Sequence, residues 1–353
     1  MISRESFLAI LLTEDFNNSS RVFLNQLGLP CSSSCIADFD GYRKSHMTLK
    51  RKLINTVKSL LGIQSIHGSF KKIKIRIQKL ICKEKYSVDD LLNLMKEMGM
   101  QKGSIICLHS SMREMYNYQG SVEEIIDGIL NEIGNEGTLM MSVIPQDLSH
   151  NEVVDFRKRK CRTGIIAETF RNYEDVHISY NLYHSVCAKG KYAEYLTNTH
   201  HKSYTCWDKM SPYWKLAELH GLVFNLGMGK NYIGTVSHVP ESILRERYPY
   251  FAQLFNHEFV YSYYDAYRQI QKHRLLVGEG IERIPSKNYY VVSHYFDPSQ
   301  YEIRYLSNLC ITRFNADYVV DRLLELAARG IVVYSEPKAK KELFEKTINA
   351  DQQ

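Results

Sequence analysis

Several protein classes are excluded by what this sequence lacks. No apolar run approaches the roughly 20 residues of a membrane-spanning helix. The longest near the start, Phe7–Leu12, has Glu5 before it and Asp15 soon after. It is too short and wrongly flanked for a secretory leader, so a cytoplasmic location is expected. Glycine (19) and proline (8) are too few for a low-complexity chain. There is no C-x-x-C pair among Cys31, Cys35, Cys82, Cys107, Cys161, Cys187, Cys206 and Cys310. Cys31 and Cys35 make at most half a metal site, so no metal is expected and reduced thiols are. No G-x-S-x-G hydrolase elbow is present. Gly227-Met228-Gly229-Lys230 lacks the remaining glycines of a dinucleotide fingerprint and the spacing of a P-loop, and reads as a tight turn.

What is present is the balance of a soluble globular protein, 44% hydrophobic and 24% charged over 353 residues. That length suits one large or two ordinary domains. The net charge of +6 is unevenly spread. Arg43 to Lys85 holds 13 basic residues and one acid, Glu84, which leaves 32 basic and 38 acidic residues elsewhere. A basic segment is thus joined to a mildly acidic body, and the two parts are expected to meet different partners. Within the segment, Lys72-Ile73-Lys74-Ile75-Arg76-Ile77 alternates strictly, as a strand with one basic face does. A lysine-protected edge strand is the plain reading. A surface for anionic lipid, nucleotide sugar or polyphosphate is the sharper one. Nucleic-acid binding is weaker, because aromatic stacking platforms are not interleaved.

The texture divides the chain into an N-terminal basic extension, 1–85, and a body, 86–353. In the body helices and strands alternate, which argues for an α/β class. Ser87 and Asp90 resemble a capping box that opens an amphipathic helix to Met100, and Ser121 and Glu124 a second one for Val122–Ile133. Strands are expected over Ser104–Leu108, Thr138–Ile144, Ser185–Ala188 and Leu222–Leu226. Helices are expected from Thr163-Gly164 to Arg171, over Tyr192–Thr199, from Ser211-Pro212 to Gly221, and over Ala316–Arg329. The tail from about residue 246 is aromatic-rich.

Taken singly, the polar motifs are weak. His109-Ser110-Ser111 directly follows a predicted strand, where hydroxyls and free N–H groups hold anions, but ordinary turn chemistry looks the same. His184-Ser185 precedes a strand, and a lone histidine is more often structural. His238 and Glu241, three apart, share a helical face and can orient one another, though that spacing is common by chance.

Their order is more specific. Ser104–Pro145 reads SIICLHSSMREMYNYQGSVEEIIDGILNEIGNEGTLMMSVIP. This resembles the opening of the aminoglycoside 3-N-acetyltransferase family, in which a strand ending in H-S-S precedes a helix, G-x-E-G-T-L and a further strand. Arg162-Thr163-Gly164-Ile165-Ile166-Ala167-Glu168-Thr169-Phe170-Arg171 is similar to the family's R-x-G-L-L-A-E-T-F-R. His184-Ser185-Val186, Ser211-Pro212-Tyr213 with Lys215-Leu216, and Thr235-x-x-His238-x-x-Glu241 after the glycine turn continue the series. The match covers roughly 88–245, reaches the tail loosely and leaves 1–85 unmatched.

The resemblance implies a mixed α+β fold with a central sheet flanked by helices. It implies an acyltransferase that moves an acetyl group directly from acetyl-CoA, its co-substrate, to an amine of an aminoglycoside or related amino sugar. Among the residues it marks as catalytic, His184 is the first choice for general base, because imidazole titrates near working pH. Glu168 or Glu241 would orient a histidine and bind the acceptor's positive charge, and His238 accompanies them. His109, Ser110, Ser111, Ser142, Arg162, Ser185 and Val186 are the implied coenzyme-binding set. Two departures fall where substrate is expected: Tyr180-Asn181-Leu182-Tyr183 replaces the family's His-Pro, and Met141-Ser142-Val143 replaces M-P-T. With the basic extension, they leave open an acceptor that is a nucleotide- or lipid-linked amino sugar of polysaccharide biosynthesis. A family member that binds coenzyme or sugar without catalysis, and an anchoring role for 1–85, are the other readings.

Overall fold

The computed structural model describes residues 82–146, 152–280, 283–336 and 338–345. All of them fall within the unit Arg76–Gln353. The Cys31–Cys35 turn, the alternating Lys72–Ile77 stretch and nearly all of the basic segment lie outside the described residues. Residues just before the boundary expected at 85/86 are hydrogen-bonded to the body: Asn117 Nδ2 donates to the Cys82 carbonyl at 2.8 Å and Ser307 Oγ to the Glu84 carbonyl at 2.7 Å.

The first helices form where their caps place them. Helix α1, Val88–Glu97, and helix α2, Val122–Ile133, each start with a complete capping box, Ser87 with Asp90 and Ser121 with Glu124. Each buries one face, Leu91, Leu92 and Met95 on α1 and Ile125, Ile126, Ile129 and Ile133 on α2. Strand β1 is Ile105–Ser110 and β2 is Thr138–Ser142. Helix α3, Ile165–Arg171, follows, then β3, His177–Ile178, and β4, Val186–Gly190. Helix α4 is Ala193–Thr197 and α5 is Pro212–Glu218, the latter capped by Ser211 with proline in its first turn. Strand β5, Leu222–Leu226, has its expected bounds.

The aromatic tail resolves into structure that its composition did not announce. After α6, Val239–Leu244, and α7, Pro249–Ala252, an antiparallel hairpin pairs β6, His257–Tyr264, with β7, Ile270–Val277. Strand β8, Ile284–Pro285, precedes β9, Tyr301–Leu306, and β10, Leu309–Asn315. Helix α8, Ala316–Ala328, and β11, Tyr334–Glu336, complete the described elements that matter here.

Seven strands form one sheet in the order β3-β4-β2-β1-β5-β10-β9. Its centre, β2-β1-β5, is parallel, and both flanks are antiparallel. The class is therefore mixed α/β with a central sheet, as expected. Period-two alternation sends Ile106, Leu108, Leu139 and Met141 into one core layer, and Cys107, Met140, Val186 and Val223 into the other.

The parallel pairing has one consequence for function. The carboxyl ends of β2, β1 and β5 reach a common edge, where ligands of open α/β sheets collect. Strand β4 runs antiparallel to β2, with Val186 opposite Ser142, so the residues just before it, His184 and Ser185, arrive at the same edge.

Among the described residues no helix is long and apolar enough to cross a membrane, and no group of histidine, cysteine and acidic side chains is arranged to hold a metal. The described cysteines are all free.

Candidate functional site

Strand β1 runs two residues beyond its predicted end. His109 and Ser110 therefore lie in the sheet, opposite Asn225 and Leu226, and not in a turn after it. His109 is buried, with its ring edge-on to Tyr232 and its Nε2 3.7 Å from the Cys107 thiol. Burial pushes its imidazole down to about 4, so it is neutral near neutral pH. A ring so enclosed packs as a core group. Gly234 shows how tight this contact is: it has φ +68°, and a Cβ there would lie 2.7 Å from His109 Nε2.

The turn beginning at Gly234 carries the most organised polar cluster at this edge. A short 3-10 turn, Thr235–His238, leads into α6. On this turn the His238 Nδ1 lies 2.7 Å from Glu241 Oε1. The other oxygen of Glu241 accepts from Arg283 Nη2 at 3.2 Å, and the Tyr334 hydroxyl donates to Oε1 at 3.2 Å. Glu241 is nearly sealed from solvent. Burial alone would raise its carboxyl, but the His238 ring and the Arg283 guanidinium, aided by Tyr334, outweigh burial and hold it below the usual carboxylate range.

Three rings pack together beside this carboxylate, one pair of them stacked and His184 tilted against both. Trp207 lies nearly parallel to His238, with centroids 4.6 Å apart and planes 25° from one another. On Trp207 the His184 ring packs at 4.7 Å, and the two imidazoles are 6.0 Å apart. The Arg283 guanidinium covers Trp207 at 5.5 Å. Three buried nitrogens of the cluster have no hydrogen-bond partner: His184 Nδ1, Trp207 Nε1 and Arg283 Nε. Buried polar atoms are paired almost everywhere in folded proteins, so these three nitrogens retain unspent hydrogen-bonding capacity. Burial first, then electrostatic interaction with His238, His200, Arg283 and Arg162, pushes the His184 imidazole well below its ordinary value.

The other sequence-selected residues divide into those near this cluster and those used elsewhere. Arg162 is exposed, and it is close enough for its charge to act on His184. Ser110 and Ser111 are half-buried at the carboxyl end of β1. Ser142 is buried against the Tyr213 hydroxyl at 2.9 Å. Ser185 and Val186 are fully buried; the Ser185 hydroxyl donates to the Val143 carbonyl at 2.7 Å. Glu168 does not meet a histidine. It accepts from Arg171 Nη2 at 2.5 Å and from the Cys161 N–H at 2.8 Å, which locks α3 to the chain before it.

Trp207, Arg283 and Tyr334 escaped the sequence reading. Trp207 carried a faint signal, as one of only two tryptophans. Arg283 and Tyr334 carried none, since both come from the unpatterned tail. Two surface clefts, of about 590 and 650 Å³, lie away from the ring cluster. The first is lined by Asp155, Lys158 and Arg268, the second by Asp127, Tyr173 and Lys189.

The sheet order and the layers around it define a mixed α/β fold that solved aminoglycoside acetyltransferases share. The crystal structure of aminoglycoside acetyltransferase AAC(3)-Xa superposes with a TM-score of 0.59 at 16% identity, covering 72% of this chain and 96% of that one. The AAC-IIIb binary structure with CoASH gives 0.59 at 16% identity, covering 70% and 97%.

The sequence match is to the same group. Residues 107–273 match the family described as aminoglycoside 3-N-acetyltransferase, so the resemblance read from the motifs holds. Aminoglycoside N(3)-acetyltransferase III of Pseudomonas aeruginosa is 26% identical in an alignment of 176 residues that covers 45% of this chain. The chain spans 64% of the length of that relative. The matched region contains His184, Trp207, His238 and Glu241, whereas Arg283 and Tyr334 lie beyond it.

Proposed function

We propose that this chain is an acetyl-CoA-dependent N-acetyltransferase acting on an amine of an aminoglycoside or related amino sugar, with residues 86–353 as its catalytic domain. The observation that carries the reading is the ring cluster of His184, Trp207 and His238 with Glu241 on His238, set at the carboxyl edge of the parallel strands. The family match supplies the reaction class.

The geometry favours His238 over His184 as general base. A carboxylate on Nδ1 selects, in the neutral ring, the tautomer with its proton on Nδ1 and its lone pair on Nε2. Glu241 gives His238 that tautomer and orientation. His184 has an unpartnered Nδ1, so nothing fixes its tautomer, and its depressed basicity suits a neutral group beside the reacting nitrogen. In the step proposed, His238 Nε2 takes a proton from the sugar amine as nitrogen attacks the thioester carbonyl. The C–S bond then breaks, the imidazolium returns the proton to the departing thiolate, and an amide and free CoA remain. Glu241 stabilises the imidazolium formed in between. In this reading Arg162, with the half-buried Ser110 and Ser111, would bind the coenzyme, since an exposed guanidinium suits its phosphates.

The test uses the full chain with acetyl-CoA and a panel of aminoglycosides and amino-sugar nucleotides. Amine-dependent release of free thiol, with the acetylated product seen by mass spectrometry, is expected for at least one member of the panel. His238→Gln should lose most turnover while still binding CoA by calorimetry. Thiol release that ignores every amine would sink the reading.

A further inference from the structure

Two buried histidines outside the ring cluster remain without a role. His200 and His273 come from distant parts of the chain, yet each makes the same kind of bridge. His200 Nε2 lies 3.1 Å from the Cys206 carbonyl, and its Nδ1 2.9 Å from Ser179 Oγ. Ser179 Oγ in turn accepts the Val186 N–H at 2.9 Å. His273 Nε2 lies 2.7 Å from the Ser203 carbonyl, and its Nδ1 2.8 Å from the Tyr261 hydroxyl. That hydroxyl accepts the Leu182 N–H at 3.1 Å.

A carbonyl oxygen only accepts, so each ring carries its proton on Nε2 and accepts at Nδ1. Both chains of hydrogen bonds then run in one direction: from a backbone N–H near His184, through a hydroxyl and an imidazole, to a carbonyl beside Trp207. One end of each is the loop 179–186, in which Asn181 Oδ1 also accepts the Tyr183 and His184 N–H groups at 3.2 and 3.1 Å. The other end is the loop 203–206, which leads directly into Trp207. There the Asp208 carboxylate accepts the Tyr204 and Thr205 N–H groups at 2.6 and 3.1 Å, and Cys206 adopts φ +70°. All four polar side chains, Ser179, His200, Tyr261 and His273, are buried, at 0, 0, 6 and 3% exposure.

We propose that His200 and His273 are positioning residues: two imidazole staples, with Ser179 and Tyr261 as their hydroxyl links, that fasten the His184 loop to the Trp207 loop and so set the ring contact on which His238 rests. This rests on the acetyltransferase reading for its catalytic consequence, but its structural content is independent of it. Hydroxyl-to-imidazole-to-carbonyl bridges have fixed donor and acceptor ends, so they define distance and tilt more strictly than apolar contacts do.

The test is made in a Trp214→Phe background, which leaves Trp207 as the sole tryptophan. Tyr261→Phe removes one hydroxyl link while keeping the ring, and His200→Leu removes the other bridge. His200→Gln retains one donor and one acceptor. We expect Tyr261→Phe and His200→Leu to shift Trp207 emission and to lower kcat roughly 10- to 100-fold, with the acetyl-CoA KM within twofold. His200→Gln should recover most of both. Nitrogen-15 spectra of the unsubstituted protein should show both rings as the Nε2–H tautomer. Folded variants whose emission and kcat stay within twofold of their parent would overturn the proposal, as would an Nδ1–H tautomer at either ring. Should His200→Leu not fold, Tyr261→Phe decides. Were the parent itself inactive on every amine, Trp207 emission and the tautomers would still decide the staples, so the two failures are distinct.

Discussion

Around Ser142, Thr163 and Glu168, polar side chains are consumed by internal hydrogen bonds; around His184, Trp207 and His238, nitrogen atoms are left over. In the first region the Thr163 hydroxyl donates to the Ser142 carbonyl at 2.6 Å, the Ser142 hydroxyl meets Tyr213, and Glu168 is shared between Arg171 and the Cys161 N–H. Arg171 Nη1 donates to the Phe156 and Arg157 carbonyls at 3.0 and 2.8 Å, and its Nε is the one nitrogen of this set left without a partner. The second region has a buried carboxylate on one imidazole and three orphaned nitrogens. Motifs of equal prominence in the sequence thus have opposite destinies: one set closes the fold, and the other keeps hydrogen-bonding capacity unspent at a sheet edge. The difference predicts which substitutions strike rate and which strike stability.

The largest separation is expected at His238. Removing a positioned general base costs about 10²- to 10⁴-fold in rate. His238→Gln should therefore lower kcat by that order with a melting temperature close to the parent's. Glu241→Gln should follow with a smaller loss, because the amide still accepts a hydrogen bond but no longer stabilises an imidazolium. If His184→Gln instead reproduced the full loss and His238→Gln did not, the base would be the other ring.

Glu168→Ala is the matching test of the closed region. It strands Arg171, whose side chain is only 4% exposed. Leaving a buried charge unpaired costs about 3–5 kcal/mol. Urea unfolding should show that loss, whereas kcat measured well below the melting temperature should stay within threefold. A collapse of kcat in a stably folded Glu168→Ala protein would place this carboxylate in the chemistry and erase the contrast.

Much of this was written in the sequence, and the parts that were not have physical reasons. Capping boxes and helical spacing fixed α2 to the residue, because a cap is a local device whose partners sit three positions apart. The end of β1 was misplaced because a strand's length depends on its neighbour: Asn225 and Leu226 extend the ladder to Ser110, and no local signal reports that. The β6–β7 hairpin was missed because its aromatic faces lack strict alternation. His238 and Glu241 were visible as a pair, since one helical turn joins them. Their ring partner Trp207 and their charge partner Arg283 arrive through tertiary folding alone, across 31 and 42 positions. For the same reason the carboxylate for a histidine could not be chosen between Glu168 and Glu241 until the fold paired one of them with Arg171.

Acid brings both regions into one measurement. His109 and His200 are held neutral by burial, with values pushed down to about 4 and about 3, and His273 is lowered too. Unfolded, each binds its proton near pH 6.5. Stability is therefore full above that pH and falls as the pH drops toward the folded-state values, by up to about 2 kcal/mol per fully buried ring at pH 5. Urea midpoints at pH 7.5, 6 and 5 should decline in that order. A flat series would mean that these rings take up a proton at Nδ1 inside the fold, against the burial that lowers all three.

The smallest expected effect is the sharpest on the coenzyme. Ser142 was assigned to coenzyme binding by its motif, yet its hydroxyl is turned inward to Tyr213, a ring with no exposed surface. Ser142→Ala leaves the tyrosine hydroxyl without that partner, a cost of about 1–3 kcal/mol in stability. If the hydroxyl serves only the fold, the acetyl-CoA KM of the variant should lie within twofold of the parent's, and so should kcat. A tenfold rise in that KM with unfolding unchanged would show that the serine turns outward when coenzyme arrives. The closed region would then open on binding.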